Sequence, residues 1–379
     1  MNQQISNKTE LLTIEEENTT MATKNQKISD EPERLQIIRN IVCQGKPRSG
    51  IVAGVQEMDD AAVIRISDTE SLVISSDFVR GSGFYLFQLG YLNYFDVGYY
   101  LIVANLSDIA AMGARPSGLT TVIRYTEKMT DQEFAQIFEG MQAAAAFYDT
   151  PIVGGDIGGH SADVFAATAF GLVKTEDVLL RRGVKDGDLL CVTGTIGFPI
   201  TALLYFKQAK PQGFSLTLQE EDKILKSWRR PQARINEGLI LAKNKLVSAC
   251  QDISDGLKAT IEQMSEASGK TFTIYSSKLP VDATTEKLAS FFEVDPVQIA
   301  VSASVDFQLL FTIAPQKLPL CTKLFKEIGG TCTVIGEVNH ERKNLLVTRN
   351  GDTTELPGVA WKQQTGNYLK EIVTDRDKK

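Results

Sequence analysis

Five short acidic motifs lie between Asp59 and Leu257, and nearly every one follows an apolar run. Carboxylates that converge at the ends of core elements repel one another unless a cation lies between them. Mg²⁺ takes oxygen ligands and usually shares its coordination shell with substrate phosphates. The pattern therefore predicts a magnesium–nucleotide site. The motifs are Asp59–Ala62, Ser75–Asp77, Asn105–Asp108, Gly154–Asp156 and Asp252–Leu257.

Asn105 and Asp108 lie three residues apart in an otherwise apolar helical pattern, so they share one helix face. Burying an amide and a carboxylate there is costly unless each has a partner. A capping or turn pair at a helix end is the alternative interpretation. Because the motif is one of several similar motifs, a ligand role is favoured.

Glycines accompany two of the other motifs. In Gly154–Asp156 they would let backbone N–H groups approach a phosphate while Asp156 holds a metal, although Gly-Gly-Asp is also a common turn. Asp252 and Ser254 point the same way if that segment is extended, and Gly256 permits a tight turn into a helix. An N-cap followed by a turn glycine is the alternative for this last motif.

Two further side chains are candidates for ligand contacts. Arg181 begins an Arg-Arg-Gly stretch at the junction of two expected domains, where a guanidinium could reach a phosphate across the boundary. A solvated, charged linker is the alternative. Trp361 could stack on a ring or simply pack in the core.

Two other signals are rejected. Ser268–Thr271 resembles the end of a P-loop, but Met264 stands where that motif needs glycine, and a helical pattern precedes it while a β-rich stretch follows. The two histidines, His160 and His340, suggest no Ser/His/Asp arrangement. No catalytic side chain is therefore assigned.

The composition, with 43% hydrophobic and 23% charged residues, is that of an ordinary globular protein. At 379 residues, two domains are the default expectation. The net charge of −7 argues against nucleic acid as a partner. No apolar stretch approaches the roughly 20 residues that span a bilayer, so no membrane association is expected. Five cysteines without a CxxC pair predict reduced thiols in a cytoplasmic protein.

Helical and strand patterns alternate without a doubly wound repeat, which predicts a mixed α+β fold.

The polar residues 1–32 are expected to be a disordered tail, with the true start at Met1 or Met21. Residues 33–174 and 175–379 are the expected domains. Thr130 with Glu133 predicts a capping box, and Asn350-Gly351 predicts a hairpin turn.

Taken in order, these motifs resemble the thiamine-monophosphate kinase family, within the aminoimidazole ribonucleotide synthetase superfamily. The resemblance covers most of the chain, roughly residues 50–365, and is strongest at Asn105–Pro116, Pro151–Asp156, Arg182–Gly197 and Asp252–Leu257. It implies a two-domain α+β fold and a homodimer, in which the N-terminal domain contributes half of a shared β-barrel and ATP lies near the interface. It also implies Mg²⁺-dependent transfer of the ATP γ-phosphoryl group to a small-molecule phosphate acceptor.

The resemblance implies roles for individual residues at the matching positions. Gly155, Asp156, Arg181 and Ser254 would contact ATP, and Trp361 would contact the substrate. Such a transfer depends mainly on positioning and charge neutralisation, so it needs no covalent nucleophile or histidine base. The metal ligands would be Asp60, Ser75, Ser76, Asp77, Asp108, Asp156, Asp252 and Asp255.

Three positions depart from the family pattern. Gly83 stands where a histidine is expected, Val305 replaces a glutamate that would meet the thiamine portion, and Met58 replaces a glycine before the Asp pair. The acceptor is therefore thiamine phosphate or a different small molecule. Two alternatives stay open: a superfamily enzyme that uses ATP to activate another molecule for ring closure or amidine formation, and a nucleotide-binding protein without turnover.

Overall fold

The computed structural model describes residues 31–44, 49–360 and 368–374. The chain divides after Gln44 into two compact units. The described part of the first unit is helix α1 (Glu31–Val42), which exposes its apolar side chains. The predicted tail falls almost entirely outside the described residues, as does Trp361. None of the described helices is long and apolar enough to cross a membrane.

The second unit begins with a six-stranded sheet in the order β1-β2-β3-β6-β4-β5. Its neighbouring strands are antiparallel except for β4 and β5, which are parallel. Along β3 and β6, alternate side chains are buried, so one face of the sheet packs on helices and the other does not. The strands are β1 (Ile51–Ala53), β2 (Ala62–Arg65), β3 (Glu70–Val79), β4 (Arg115–Tyr125), β5 (Ile152–Gly159) and β6 (Val164–Lys174).

Three helices belong to this part of the chain: α2 (Tyr85–Gln88), α3 (Tyr94–Ala111) and α4 (Asp131–Phe147). Helix α3 is apolar all round and buried on nearly every side, as expected for a helix that packs on both sheets of the unit. It ends before Gly113, whose φ of 68° suits glycine. The predicted capping box at the start of α4 is confirmed, with Thr130 and Glu133 bonded reciprocally.

A seven-stranded mixed sheet forms the rest of the unit, in the order β13-β12-β9-β11-β7-β10-β8. Its strands are β7 (Leu189–Val192), β8 (Val247–Asp252), β9 (Thr271–Tyr275), β10 (Leu309–Ile313), β11 (Thr333–Asn339), β12 (Leu345–Val347) and β13 (Thr353–Glu355). The helices in this part of the chain are α5 (Phe198–Leu204), α6 (Leu218–Arg229), α7 (Ile235–Lys243), α8 (Leu257–Ser268), α9 (Ala283–Phe292), α10 (Pro296–Ala300), α11 (Leu318–Glu327) and α12 (Tyr368–Ile372).

The mixed α+β prediction is confirmed, and so is the hairpin turn at Asn350-Gly351, which joins the antiparallel strands β12 and β13. The motifs Ser75–Asp77 and Gly154–Asp156 follow apolar runs, which predicts that a core element ends there, but β3 continues to Val79 and β5 to Gly159. The reason is that a strand needs apolar side chains only where a face is packed, and much of both segments is exposed.

Candidate active site

Helix α3 places two polar side chains against strand β3. Asn105 is fully buried; its amide donates to the Leu101 carbonyl at 2.9 Å and accepts from the Asp77 backbone N–H at 3.0 Å. One turn along, the Asp108 carboxylate accepts a hydrogen bond from the Ser75 hydroxyl. The spacing of three residues thus puts both groups on the face that meets β3, where every polar atom named here has a partner.

A third polar residue of α3 reaches the other sheet. The buried Ser107 hydroxyl donates to Asp252 Oδ2 at 2.5 Å. Asp252 is the last residue of β8, and the Ser254 hydroxyl donates to its other oxygen at 3.2 Å. Helix α3 therefore connects motifs from both sheets at one place.

The Asp59-Asp60 pair meets Arg181. Nη2 of Arg181 lies 2.5 Å from Asp60 Oδ1, and its backbone N–H donates to both carboxylate oxygens of Asp59 at 3.2 and 3.3 Å. The side chains of Asp59 and Asp60 are only 1% and 2% exposed. Arg181 therefore binds two buried carboxylates, Asp60 through its guanidinium and Asp59 through its backbone N–H.

Mutual repulsion and burial raise the pKa of several of these carboxyls. Burial, and then the charges of Asp252 and Asp60, raise the pKa of Asp108 well above its ordinary value. Burial and the charge of Asp60 raise the pKa of Asp252 to about 7. Burial and the same neighbour raise the pKa of Asp59 to about 7, despite the opposing effect of Arg181. These carboxyls therefore ionise less readily than ordinary ones, because Arg181 does not offset their burial and mutual repulsion.

The donor set suits Mg²⁺ only with help from another ligand. Within residues 31–44, 49–360 and 368–374, no three His, Cys, Asp or Glu side chains are arranged to hold a metal by themselves. Mg²⁺ is usually bound by one or two carboxylates together with water and phosphate oxygens, so a complete protein cage is not required. In the described structure the buried Asp60 Oδ2 lacks a hydrogen-bond partner, which leaves an oxygen for a cation. The residues present fit Mg²⁺ on these grounds.

Of the sequence-predicted residues, Asp60, Ser75, Asp108, Arg181, Asp252 and Ser254 come together here. Asp77 contributes its backbone N–H, while its charge also raises the pKa of Asp108. Asp255 is exposed at the start of the turn into α8, close enough for its charge to help raise the pKa of Tyr100.

Ser76, Gly155 and Asp156 are not part of the cluster in this chain. Ser76 lies on the opposite face of β3 and pairs with Thr168. The register aligns Asp77 with Gly155 across β6 and β4, three strand spacings or about 14 Å away. Asp156 is exposed there and pairs with Arg124 at 2.5 Å.

Several functional candidates had not been singled out from the sequence. Asp59 and Ser107 lie inside recognised motifs, and only the tertiary contacts separate them from their neighbours. Asp306 is buried beside Gly197, whose N–H donates to it at 2.7 Å. The next residue, Phe307, has a φ of 50°, which is strained for an aromatic residue. It bonds to Ile253 of the Asp252 loop, and no sequence signal marks that strain.

Both parts of the unit match known families. Residues 58–173 match the family described as AIR synthase related protein, N-terminal domain, and residues 185–347 match the corresponding C-terminal domain. The thiamine-monophosphate kinase of Methanocaldococcus jannaschii is 32% identical over 293 residues, covering 75% of this chain and 86% of that protein. That of Pyrococcus abyssi is 29% identical, covering 83% and 92%.

Solved structures show the same fold. AaThiL complexed with AMPPCP and TMP superposes with a TM-score of 0.73 at 23% identity, covering 90% of this chain and all of that one. Thiamine-monophosphate kinase from Stenotrophomonas maltophilia K279a gives 0.67 at 25% identity, covering 84% and 96%. The chain therefore belongs to the AIR synthase-related proteins, with their two-domain α+β fold, and is a homologue of the thiamine-monophosphate kinases.

Proposed function

We propose that this protein is an ATP- and Mg²⁺-dependent phosphotransferase that passes the γ-phosphoryl group of ATP to a small phosphate-bearing acceptor. The observation that carries the proposal is the cluster of Asp59, Asp60, Asp108 and Asp252, in which Arg181 forms ion pairs with Asp59 and Asp60. Such crowding is costly in an empty site, but it is suited to divalent ions that arrive with a polyphosphate.

In this proposal Asp60, Asp108 and Asp252 would each contribute a carboxylate oxygen to Mg²⁺ ions whose other ligands are phosphate and water oxygens, with Ser75 and Asp77 next to them. The metal would neutralise charge on the phosphate oxygens as it builds up in the transition state. Ser107 and Ser75 orient two of the carboxylates through hydrogen bonds, while Asn105 fixes the β3 backbone beside them. Asp255 remains a proposed ligand of this site, whereas Ser76 lies on the opposite face of β3 and is not proposed as a ligand there.

Arg181 and Ser254 are the proposed ATP contacts that lie at the cluster. Arg181 is 16% exposed, so part of its guanidinium can still meet a phosphate. Gly155 and Asp156 remain proposed contacts on the exposed edge strand β5. There a Cβ on residue 155 would lie 2.2 Å from the Thr121 carbonyl oxygen, so the close approach of the two strands requires glycine.

Thiamine phosphate is the first acceptor to test, because several relatives are named thiamine-monophosphate kinases. Gly83 and Val305 are the two positions at which this chain departs from the family pattern where the acceptor is expected to bind. Gly83 is exposed, and a Cβ there would meet only Arg80, so the space a larger side chain would need is open. Val305 packs against the core instead of presenting a carboxylate. Both features favour an acceptor pocket adapted in this chain.

We also propose that the protein works as a homodimer through the uncovered face of the six-stranded sheet. Phe78, Ala166 and Val122 form one row across β3, β6 and β4, and Phe78 and Val122 are 61% and 43% exposed. An apolar sheet face of this kind calls for a partner. A second copy is the proposed partner because two such faces can close into the barrel that the family resemblance implies.

The test measures ADP and thiamine diphosphate after the protein is incubated with ATP, Mg²⁺ and thiamine phosphate. Equal amounts of both products, absent when the metal is chelated, are expected. ADP formation without thiamine diphosphate would overturn the acceptor, and absence of ADP with every phosphate ester tried would overturn the phosphotransferase.

A matched pair of variants distinguishes loss of the site from a general effect of replacing an aspartate. Asp108→Asn should stop product formation, whereas Asp68→Asn, in the exposed turn between β2 and β3, should leave it unchanged. Equal activity in both variants would contradict the assignment of the cluster.

A further inference from the structure

Three of the five cysteines lie together at one face of the seven-stranded sheet. Cys191 on β7 and Cys321 on α11 are fully buried, whereas Cys332, just before β11, is half-buried. Cys332 lies close enough to Cys191 and Cys321 for the thiols to shift one another's pKa. The three cysteine side chains belong to one hydrophobic core.

The fold explains why these residues meet. Strands β7 and β11 are antiparallel neighbours, and Cys191 lies opposite Val334, so Cys332 occupies the diagonal position on the same face. Helix α11 packs Cys321 and Phe325 onto that face, where the Phe325 ring contacts Phe311 with centroids 6.1 Å apart. The cluster thus joins a central strand, a helix and the segment that follows the helix.

Cys332 has the properties of the reactive member. Hydrogen bonds from Cys191, then Cys321 and Thr322, lower the pKa of Cys332 to about 4. Hydrogen bonding to Cys332 and burial raise the pKa of both partner thiols. The thiolate is the nucleophilic form of cysteine, and a thiol beside it can resolve a sulfenic acid. Partial exposure gives a small oxidant access that the other two lack.

We propose that Cys332 is an oxidisable thiol that forms a reversible intrachain disulfide with Cys321 when it meets a hydroperoxide. The Cys332 thiolate attacks the distal peroxide oxygen, the O–O bond breaks, and the alkoxide leaves and takes up a proton as the alcohol. The Cys321 sulfur then attacks the resulting sulfenic acid; an S–S bond forms, the S–O bond breaks, and water leaves with the Cys321 proton. Two thiols and one hydroperoxide give one disulfide, one alcohol and one water.

Cys321 rather than Cys191 is the expected partner for a geometric reason. Diagonal residues on paired strands have Cα atoms about 7–8 Å apart, beyond the span that a disulfide normally bridges. Cys191 is held in β7 by backbone pairing with both β10 and β11, so it cannot close that gap easily. Cys321 lies on a helix joined to Cys332 by a short connection at Ile328–Thr331, which is not held in the sheet.

The experiment uses the full chain with Cys43→Ser, which removes the exposed thiol most able to link two molecules. The protein is treated with hydrogen peroxide, blocked with an alkylating reagent, digested with trypsin without reduction and analysed by mass spectrometry. Cys191, Cys250, Cys321 and Cys332 fall in different tryptic peptides, so each pairing gives a distinct product.

The expected result is a link between the peptides over residues 318–323 and 327–342, reversed by dithiothreitol. Free Cys332 should disappear at least about tenfold faster than the fully buried Cys250, which is the internal control. Equal rates at Cys332 and Cys250, or a link to Cys191 in place of Cys321, would overturn the proposal.

A variant provides a second, independent measurement. In Cys321→Ala, peroxide should convert Cys332 to sulfenic acid, which a dimedone-type reagent traps, and no disulfide to that position can form. Thermal unfolding of the variant checks that it is folded. If Cys332 in the folded variant forms no adduct, the thiolate assignment fails.

Discussion

At the scale of single residues, the candidate site depends on how α3 distributes polar groups among apolar ones. Asn105 and Asp108 face β3, while Ser107 faces β8, so one short stretch serves two sheets. Each group is partnered, yet the carboxylates still repel one another. This repulsion lowers the stability of the protein without a bound cation, and the same carboxylates attract cations.

Asp108→Asn should separate stability from activity. The amide keeps the size of the side chain and can still accept from Ser75, but it removes a buried charge that Asp252 and Asp60 oppose. Thermal unfolding of the metal-free variant should therefore occur at a higher temperature than in the native protein, while kcat falls by about 10²-fold or more. A lower unfolding temperature would show that the carboxylate stabilises the fold, contrary to this account.

Asp306 should make the stability of the protein depend on pH. Burial raises its pKa to about 7, despite the opposing hydrogen bond from the Gly197 N–H. The folded state then binds a proton more tightly than the unfolded state. The contribution of Asp306 to stability is therefore greatest below the unfolded value, near 4, and is lost as the pH rises towards 7.

The measurement for Asp306 is the unfolding free energy at pH 5 and pH 8 in the native protein and in Asp306→Asn. An asparagine cannot ionise, so the variant should lose less stability between these two values than the native protein does. Asp306 is only 8% exposed, so solvent screens its charge little. The loss of unfolding free energy between pH 5 and pH 8 should therefore be larger in the native protein than in the variant by a few kcal/mol. Identical pH dependence in both proteins would show that Asp306 ionises without cost.

At the scale of elements, the contact between α3 and α4 requires glycine on both helices. A Cβ on residue 98 would lie 2.0 Å from the Ile137 carbonyl oxygen, and one on residue 140 would lie 2.0 Å from that of Phe95. The helices therefore approach backbone to backbone. This close packing fixes the position of α3, and with it the three polar residues that form the site.

Gly140→Ala should lower both stability and activity. Alanine favours an isolated helix by about 1 kcal/mol over glycine, but a Cβ against a backbone oxygen forces the helices apart, which typically costs about 1–3 kcal/mol. The clash should win, so the unfolding temperature falls. Gln142→Ala, exposed on the same helix, is the control and should be neutral. Equal unfolding temperatures in the two variants would contradict the packing argument.

At the scale of the whole molecule, the two faces of the six-stranded sheet differ in what covers them. One packs on the helices that position the site. The other exposes Ile64, Phe78 and Val122, an apolar surface unusual for a protein that works alone. The proposed homodimer would cover it and would bring a second copy of β5, with its Gly-Gly-Asp segment, into the same assembly.

Val122→Glu should break that assembly. A carboxylate in the middle of the proposed interface would be buried against apolar side chains, which is strongly unfavourable. Light scattering after gel filtration should give twice the chain mass for the native protein and the single-chain mass for the variant. Phe147→Glu changes an even more exposed apolar residue, which lies on α4, and should remain dimeric. A native protein that elutes with the mass of one chain would refute the dimer.

The sequence alone determined much of the local structure. The apolar helix around Asn105 and Asp108, the capping box at Thr130 and the hairpin turn at Asn350-Gly351 depend on neighbouring residues, and each formed as expected. The mixed fold and the family also followed from short motifs in order. The identity of most cluster residues could be predicted because buried carboxylates stand out against apolar neighbours.

Only the tertiary structure decided which motifs meet. Asp156 looked equivalent to Asp108 in the sequence, yet the strand order places it at an exposed edge, three strands from β3. Nothing local distinguished Ser107, which becomes essential to the cluster only because β8 lies opposite it. Distances between residues far apart in the chain are set by strand order and helix packing, and these arise from the summed burial of the whole core rather than from any one motif.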